Sequence, residues 1–315
     1  MNSMSNDSVD IIIPIYRPRE EFLDLLERLI KQSYPVNRII LINTEQKYFD
    51  ERLFLISDKI EVHHIDKKDF DHAATRDMAI RMSDAKYVLF MTMDAMPASD
   101  KLVERLVDCF AGSGETIAVA YARQLPRKDC RMQEKYTRKF NYPEESMTKN
   151  IDSLAKLGIK TYFCSDVCAM YDREIYLKNG GFEAPAIFNE DMVYAAKAVN
   201  TGYSIRYCAE AKVRHSHNYS CAELFKRNFD MGVSQAMHPE VFGNVSSESE
   251  GMKLVINTAK YLCKNGHWYE IPYLFVSSAY KYLGYKKGLK YRKLKNKTIL
   301  KYTSNAEFWR HLSGR

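Results

Sequence analysis

Along the first third of the chain the apolar positions gather into short unbroken runs, separated by segments of helical spacing. Val9 to Tyr16, Arg38 to Asn43, Ile60 to Ile65 and Tyr87 to Met91 each read as a strand. Continuous apolar runs of this length suit strands buried on both faces, as in a parallel sheet. Between them, Arg19 to Gln32 repeats apolar residues at Phe22, Leu25, Leu26, Leu29 and Ile30, and Ala73 to Ser83 reads as a second helix. Strands alternating with such helices need crossover connections, which predicts an α/β fold: a Rossmann-like, mostly parallel sheet flanked by helices.

The pattern then loosens. Asp100 to Ala111 is expected to be helical, whereas Tyr121 to Asn150 is polar, charge-mixed and weakly periodic, suiting a mobile loop or an acceptor-contacting insertion. Order returns in a strand-like run, Thr161 to Tyr171, broken by Asp166. A helix Arg173 to Lys178, a turn at Gly180 and Gly181, a helix after Asn189 and a strand Ser204 to Cys208 follow. Leu254 to Cys263 and Trp268 to Tyr285 mix aromatic and aliphatic residues at helical spacing. These shifts divide the chain into a catalytic-type domain, 1–240, and a helical, basic extension, 241–315.

Composition narrows the class. With 315 residues, 46% of them hydrophobic, the chain can bury a large core and is not a disordered protein. Its net charge of +7 is unevenly placed: no acid lies between Ile271 and Ala306, where Lys281, Lys286, Lys287, Lys290, Arg292, Lys293, Lys295, Lys297 and Lys301 fall. The tail is therefore the part expected to meet an anionic partner. Tyrosine and tryptophan beside lysine suit an anionic inner membrane surface, and a site peripheral to it. The alternative is that these faces pack on the domain and the lysines are merely solvated. The polar start, without an apolar signal core, and the lack of a spanning apolar stretch predict a cytosolic protein. Seven scattered cysteines without zinc-type spacing read as reduced thiols.

Candidate chemistry clusters at predicted element ends. Neither a G-x-G-x-x-G after the first strand nor a G-x-x-x-x-G-K-[ST] is present, which disfavours dinucleotide and P-loop enzymes. Asp94 directly follows the fourth strand, where an acid can face a metal or a phosphate-bound cation; equally, Asp94 or Ser99 could cap the next helix. Arg76, near a helix start, could fork onto a diphosphate or form a surface pair with Asp69 or Asp77. Glu190 and Asp191 lie in the first turn of a helix that Asn189 can cap, either as dipole-favoured acids or as a general base. His215 and His217, at i and i+2, fall on one side of an extended segment and could both face a metal.

In this order, Ile11-Ile-Ile-Pro-Ile-Tyr16, Phe70-Asp-His-Ala-Ala-Thr-Arg-Asp77, Met91-Thr-Met-Asp-Ala95, Gly180-Gly-Phe182, Asn189-Glu-Asp191 and His215-Ser-His-Asn-Tyr219 resemble the inverting family 2 glycosyltransferases of GT-A fold, bacterial rhamnosyltransferases above all. Phe225 to Gly232 and Ala279 to Tyr285 extend the likeness into the tail. The resemblance implies that Pro14, Tyr16, Asn43 and Thr44 hold the base and ribose of a nucleotide-sugar. It implies further donor contacts at His72, Thr92 and Met93, and Arg76 on the diphosphate. Asp94 and His215 would hold Mg2+ or Mn2+, and Asp191, with Glu190, would supply the base.

Two positions depart from the family: Thr92 replaces the first acid of D-x-D, and Asn43-Thr44 replaces the acidic pair after the second strand. The likeness points to dTDP-rhamnose as donor and a polyprenyl-diphosphate-linked glycan as acceptor, in cell-surface polysaccharide synthesis. Another nucleotide sugar, of the UDP-glucose, galactose or N-acetylglucosamine type, is the alternative. A nucleotidyltransferase would want a glycine in Tyr16-Arg-Pro-Arg, and a nucleic-acid-binding protein would leave the E-D and H-x-H segments without a role; no nucleic acid partner is expected.

Overall fold

In the computed structural model, residues 7–112, 114–243 and 247–313 are described. The expected strand and helix alternation builds the first half: β1 (Val9–Ile15), α1 (Glu21–Ile30), β2 (Arg38–Thr44), β3 (Ile60–Ile65), α2 (His72–Arg81) and β4 (Tyr87–Met91). A short β5 (Met96–Pro97) and α3 (Leu102–Val107) follow. Helix α3 is shorter than the 100–111 expected, because Asp108–Phe110 tightens into a 3-10 turn. Its N-cap position is Lys101, so Asp94 is not a helix cap.

The middle of the chain is more ordered than its polarity implies. The segment expected to be a loop, 121–150, contains the end of β6 (Ile117–Leu125), then α4 (Met132–Asn141) and β7 (Met147–Lys149). It is followed by a single turn of helix, α5 (Leu154–Leu157), and a 3-10 turn, Gly158–Tyr162. The strand expected over 161–171 is confined to β8 (Cys168–Asp172), so Asp166 lies before the strand and does not interrupt it. Helices α6 (Arg173–Lys178) and α7 (Glu190–Asn200) lead into β9 (Ser204–Arg214), which runs beyond the expected Cys208.

These strands form one nine-stranded sheet in the order β3-β2-β1-β4-β8-β6-β9-β5, with β7 paired to β9. Strands β1 to β4 are parallel; β8 inserts antiparallel between β4 and β6, which restores the direction of β6 and its parallel neighbour β9. Alternate residues of the buried strands enter opposite cores. Ile12, Ile40, Val88 and Phe90 pack with α2, α6 and α7 on one face, and Ile11, Ile39, Leu41 and Leu89 pack with α1 and α3 on the other. Burial on both faces is the reason these strands carry no polar alternation.

Beyond the sheet run α8 (Cys221–Met237), α9 (Pro239–Phe242), α10 (Ser247–Lys264), α11 (Ile271–Leu289), α12 (Asn296–Tyr302) and α13 (Ala306–Ser313). Helix α11 lies along α8 at a seam of glycines, where a Cβ at Gly284 would overlap the Phe225 carbonyl oxygen and one at Gly288 that of Phe229. Small residues at such a crossing let two backbones approach closely. The tail then folds back: Ile299, Phe308 and Trp309 pack on Phe229 and Val233. The buried Asp230 carboxylate accepts from Thr303 Oγ1 at 2.6 Å and from the Ser304 amide at 2.8 Å. All seven cysteines are free thiols.

Candidate active site

Strand direction gathers the chemistry at one edge. The carboxyl ends of β1, β2, β4, β6 and β9, and the amino end of antiparallel β8, all open there, because Met91 pairs Cys168 and Leu125 pairs Arg214. Ligand sites of open α/β sheets form at this edge. Asp94 leaves β4, and His215 and His217 leave β9. Their ligand atoms all lie within 4.8 Å of one another, with Asp94 Oδ2 at 3.5 Å from His215 Nε2 and 3.2 Å from His217 Nε2.

The two imidazoles turn Nε2 atoms toward each other at 3.0 Å. The His215 ring is fixed from behind: its Nδ1 lies 3.1 Å from Gln124 Oε1, an acceptor that orients the imidazole. Burial, then the charge of His215, lowers His217 to about 4, which keeps its ring neutral. Burial alone would raise Asp94, but the hydrogen bond and charge of His215 outweigh it and hold the carboxylate well below its usual range. A carboxylate and two imidazoles converging on a point form a set fit for a divalent cation. His215 was assigned from the sequence; His217 completes the set.

A second cluster stands at the start of α7. Asn189 adopts a left-handed conformation, φ 62°, and does not cap the helix; its Nδ2 donates to Ser234 Oγ at 3.2 Å, tying the entry of α7 to α8. Asp191 is held by two backbone amides, from Asp166 to Oδ2 at 3.2 Å and from Met192 to Oδ1 at 2.8 Å. Burial, then the neighbouring Asp166 and Glu190 carboxyls, raises its pKa well above the ordinary carboxylate value. Burial likewise raises Asp166, which accepts from Tyr171 Oη at 2.7 Å. A carboxylate made more basic by like charges is suited to taking a proton.

Arg76 does not form the alternative surface pair. It is buried and pairs not with Asp69 or Asp77 at the surface but with Glu190 Oε1 at 3.0 Å and Asp166 Oδ2 at 3.5 Å. The two acids flank this cation, which ties the acid cluster together.

A chain of hydrogen bonds joins the two clusters. From His215 the contacts run through Gln124, whose Nε2 donates to Ser165 Oγ at 3.0 Å, and the next residue, Asp166, donates its amide to Asp191. The Thr92 amide also donates to the Val167 carbonyl at 3.2 Å, so the loop ahead of Asp94 lies against the segment that holds Asp191. At the far end of the edge, Pro14 of β1 pairs with Ile42, and Tyr16 Oη donates to Glu45 Oε2 at 3.1 Å. Asn43 Nδ2 lies 2.9 Å from His64 Nδ1, while Asn43 Oδ1, Thr44 Oγ1 and Thr92 Oγ1 are buried with no hydrogen-bond partner among the described residues. Met93 packs on the core face shared with α1, and His72, at the start of α2, packs edge-on to Phe70.

Solved structures of the same architecture are GT-A glycosyltransferases. A mannosyltransferase from Pyrobaculum calidifontis, in complex with GDP-Man and Mn2+, superposes with a TM-score of 0.60 at 14% identity, covering 91% of this chain and 88% of that one. TarS of S. aureus in complex with UDP-GlcNAc gives 0.50 at 14% identity, over 91% of this chain and 92% of that one. The family model Glycosyl transferase family 2 matches residues 10–180. Among curated proteins, the O-antigen chain rhamnosyltransferase RfbN of Salmonella typhimurium is 36% identical over 96% of both chains. WbaN of Salmonella anatum, also an O-antigen chain rhamnosyltransferase, is 31% identical over 97% of this chain and 96% of its own. The chain belongs to glycosyl transferase family 2 and is a glycosyltransferase.

Proposed function

We propose that the chain transfers rhamnose from dTDP-rhamnose, with inversion, to a hydroxyl of a polyprenyl-diphosphate-linked glycan in O-antigen-type assembly. The observation that carries the reading is the contact path from Asp94 and His215 through Gln124 and Ser165 to Asp191, which joins a cation-type ligand set to a basic carboxylate. Support for the sugar comes from the two rhamnosyltransferases that match nearly the whole chain.

Asp191 accepts the proton of the attacking hydroxyl while the acceptor oxygen bonds to the sugar's anomeric carbon and the carbon–oxygen bond to the diphosphate breaks. One displacement with one base inverts that carbon. The Asp166 and Met192 amides hold Asp191 in place, Arg76 ties Glu190 beside it, and the Asp166 and Glu190 carboxyls keep it proton-hungry. Asp94, His215 and His217 would hold Mn2+ or Mg2+, which when bound offsets charge growing on the departing diphosphate. Two imidazoles favour Mn2+ over Mg2+, since Mg2+ prefers oxygen ligands. The unpartnered Asn43 Oδ1 and Thr44 Oγ1 are suited to a pyrimidine edge and ribose.

Access to a lipid-borne acceptor is assigned to α11 and the turn that leads into it, Trp268–Glu270. Trp268, Phe275, Val276, Tyr282 and Leu283 are exposed, and the acid-free lysine run follows them, a combination that fits the anionic inner leaflet. Among the described residues no helix is long and apolar enough to cross a membrane.

The test is turnover of dTDP-rhamnose, UDP-glucose, UDP-N-acetylglucosamine and GDP-mannose with Mn2+ and a lipid-linked glycan. dTDP-rhamnose alone should be consumed, and Asp191→Asn should slow transfer by ~10²–10⁴-fold while retaining dTDP affinity. Near-normal turnover by that variant would remove Asp191 from the role of base.

A further inference from the structure

Arg227 of α8 is half-buried, yet among the described residues its guanidinium makes no hydrogen bond and no ion pair. Acids stand one turn away on either side, and both are committed elsewhere. Glu223 Oε2 accepts from the Ser220 amide and hydroxyl, each at 2.7 Å, in a capping box. Asp230 is tied to Thr303 and Ser304. The guanidinium lies instead by two aromatic rings, 5.3 Å from the centroid of Phe188 and 4.8 Å from that of Tyr219. Ring faces hold a guanidinium without neutralising it.

Those rings belong to the two halves of the site. Phe188 leads into Glu190 and Asp191, and Tyr219 stacks on His217 with ring centroids 4.9 Å apart. Unlike Arg227, Arg76 is paired with Glu190 and Asp166. A cation poised between a proton acceptor and a cation-type ligand set, with its fork open, fits a doubly charged phosphate.

We propose that Arg227 receives the diphosphate of the nucleotide donor, forking onto its terminal phosphate as that group departs. The assignment rests on the nucleotide-sugar reading above. Two parallel N–H donors match two phosphate oxygens, and the contact strengthens as negative charge builds on the leaving oxygen. A lipid-linked acceptor carries a diphosphate as well, so the donor and acceptor arms are measured separately.

Calorimetric titrations of the full chain, with Mn2+ present, would compare wild type, Arg227→Gln and Arg227→Lys for dTDP, UDP, GDP and the corresponding monophosphates. With the diphosphate that wild type binds best, Arg227→Gln should raise Kd by about 10- to 100-fold and Arg227→Lys by less, with Mn2+ affinity alone unchanged. The ratio of diphosphate to monophosphate Kd within each protein is the readout, because it does not depend on the folded fraction. An unchanged ratio overturns the role of Arg227, as does an effect seen only in KM for the lipid-linked acceptor. Wild type binding none of the three diphosphates would overturn the nucleotide-sugar reading itself, and this assignment with it.

Discussion

Asp191 owes its affinity for a proton to its neighbours, and the pH dependence follows from that. Burial and the Asp166 and Glu190 carboxyls raise it, so the ionised form needed for proton abstraction is lost as pH falls through the raised value. The acid limb of kcat/KM should therefore lie well above the ~3.9 of a free aspartate, and Asp166→Asn should move it to lower pH by removing one like charge. Stability has the opposite dependence. A raised folded-state pKa stabilises the protein below the unfolded value, and that contribution is lost as pH rises through the folded one, so Asp166→Asn should gain melting temperature over wild type as pH increases. Gln124 acts through His215: Gln124→Leu removes the acceptor at Nδ1 and should weaken Mn2+ binding by about 10- to 100-fold in a metal titration. The sequence makes Asp94, Asp191 and His215 visible because they sit in ordered motifs at predicted strand and helix ends. Gln124 and Asp166 are not legible that way. An amide and a lone acid acquire their roles only when β8 inserts between β4 and β6, and nothing local encodes that insertion.

Elements were legible where burial is two-sided. Strands β1, β2 and β4 and helix α1 announce themselves because each is buried in the cores that flank the sheet, whereas β3, at the sheet edge, buries only Ile60. Helix α4 and β7 do not, since neither has a continuous apolar face: α4 has no fully buried residue, and β7 buries only Lys149. Asn189 illustrates a different failure. Its residue type suits an N-cap, but the tie to Ser234 on α8 and its left-handed backbone decide otherwise. The α8–α11 seam can be tested at this scale. Gly284→Ala drives a methyl into the Phe225 carbonyl and should cost about 1–3 kcal/mol in chemical denaturation. Gly251→Ala, on α10 with nothing near its added Cβ, should instead stabilise by about 0.5–1 kcal/mol.

At the scale of the whole molecule, the sheet edge and the outer face of α11 are joined through α8. Partition onto vesicles containing anionic lipid should be strong at low salt and fall as salt rises. Replacing the exposed Lys287, Lys290 and Lys293 by Gln should reduce that partition by about a hundredfold, at ~1 kcal/mol for each charge, while leaving dTDP binding intact. Loss of vesicle binding on mutating Asp94 or Asp191, and not on changing these lysines, would argue against a membrane-facing tail. The glycine seam adds a constraint of distance. With backbones pressed together, a lipid surface under α11 would stand only about one helix diameter, ~10 Å, from the helix that bears Arg227. An enzyme so seated works like a plane with its blade at a set depth: it would reach sugars near the lipid anchor and pass beneath those farther out on a long glycan.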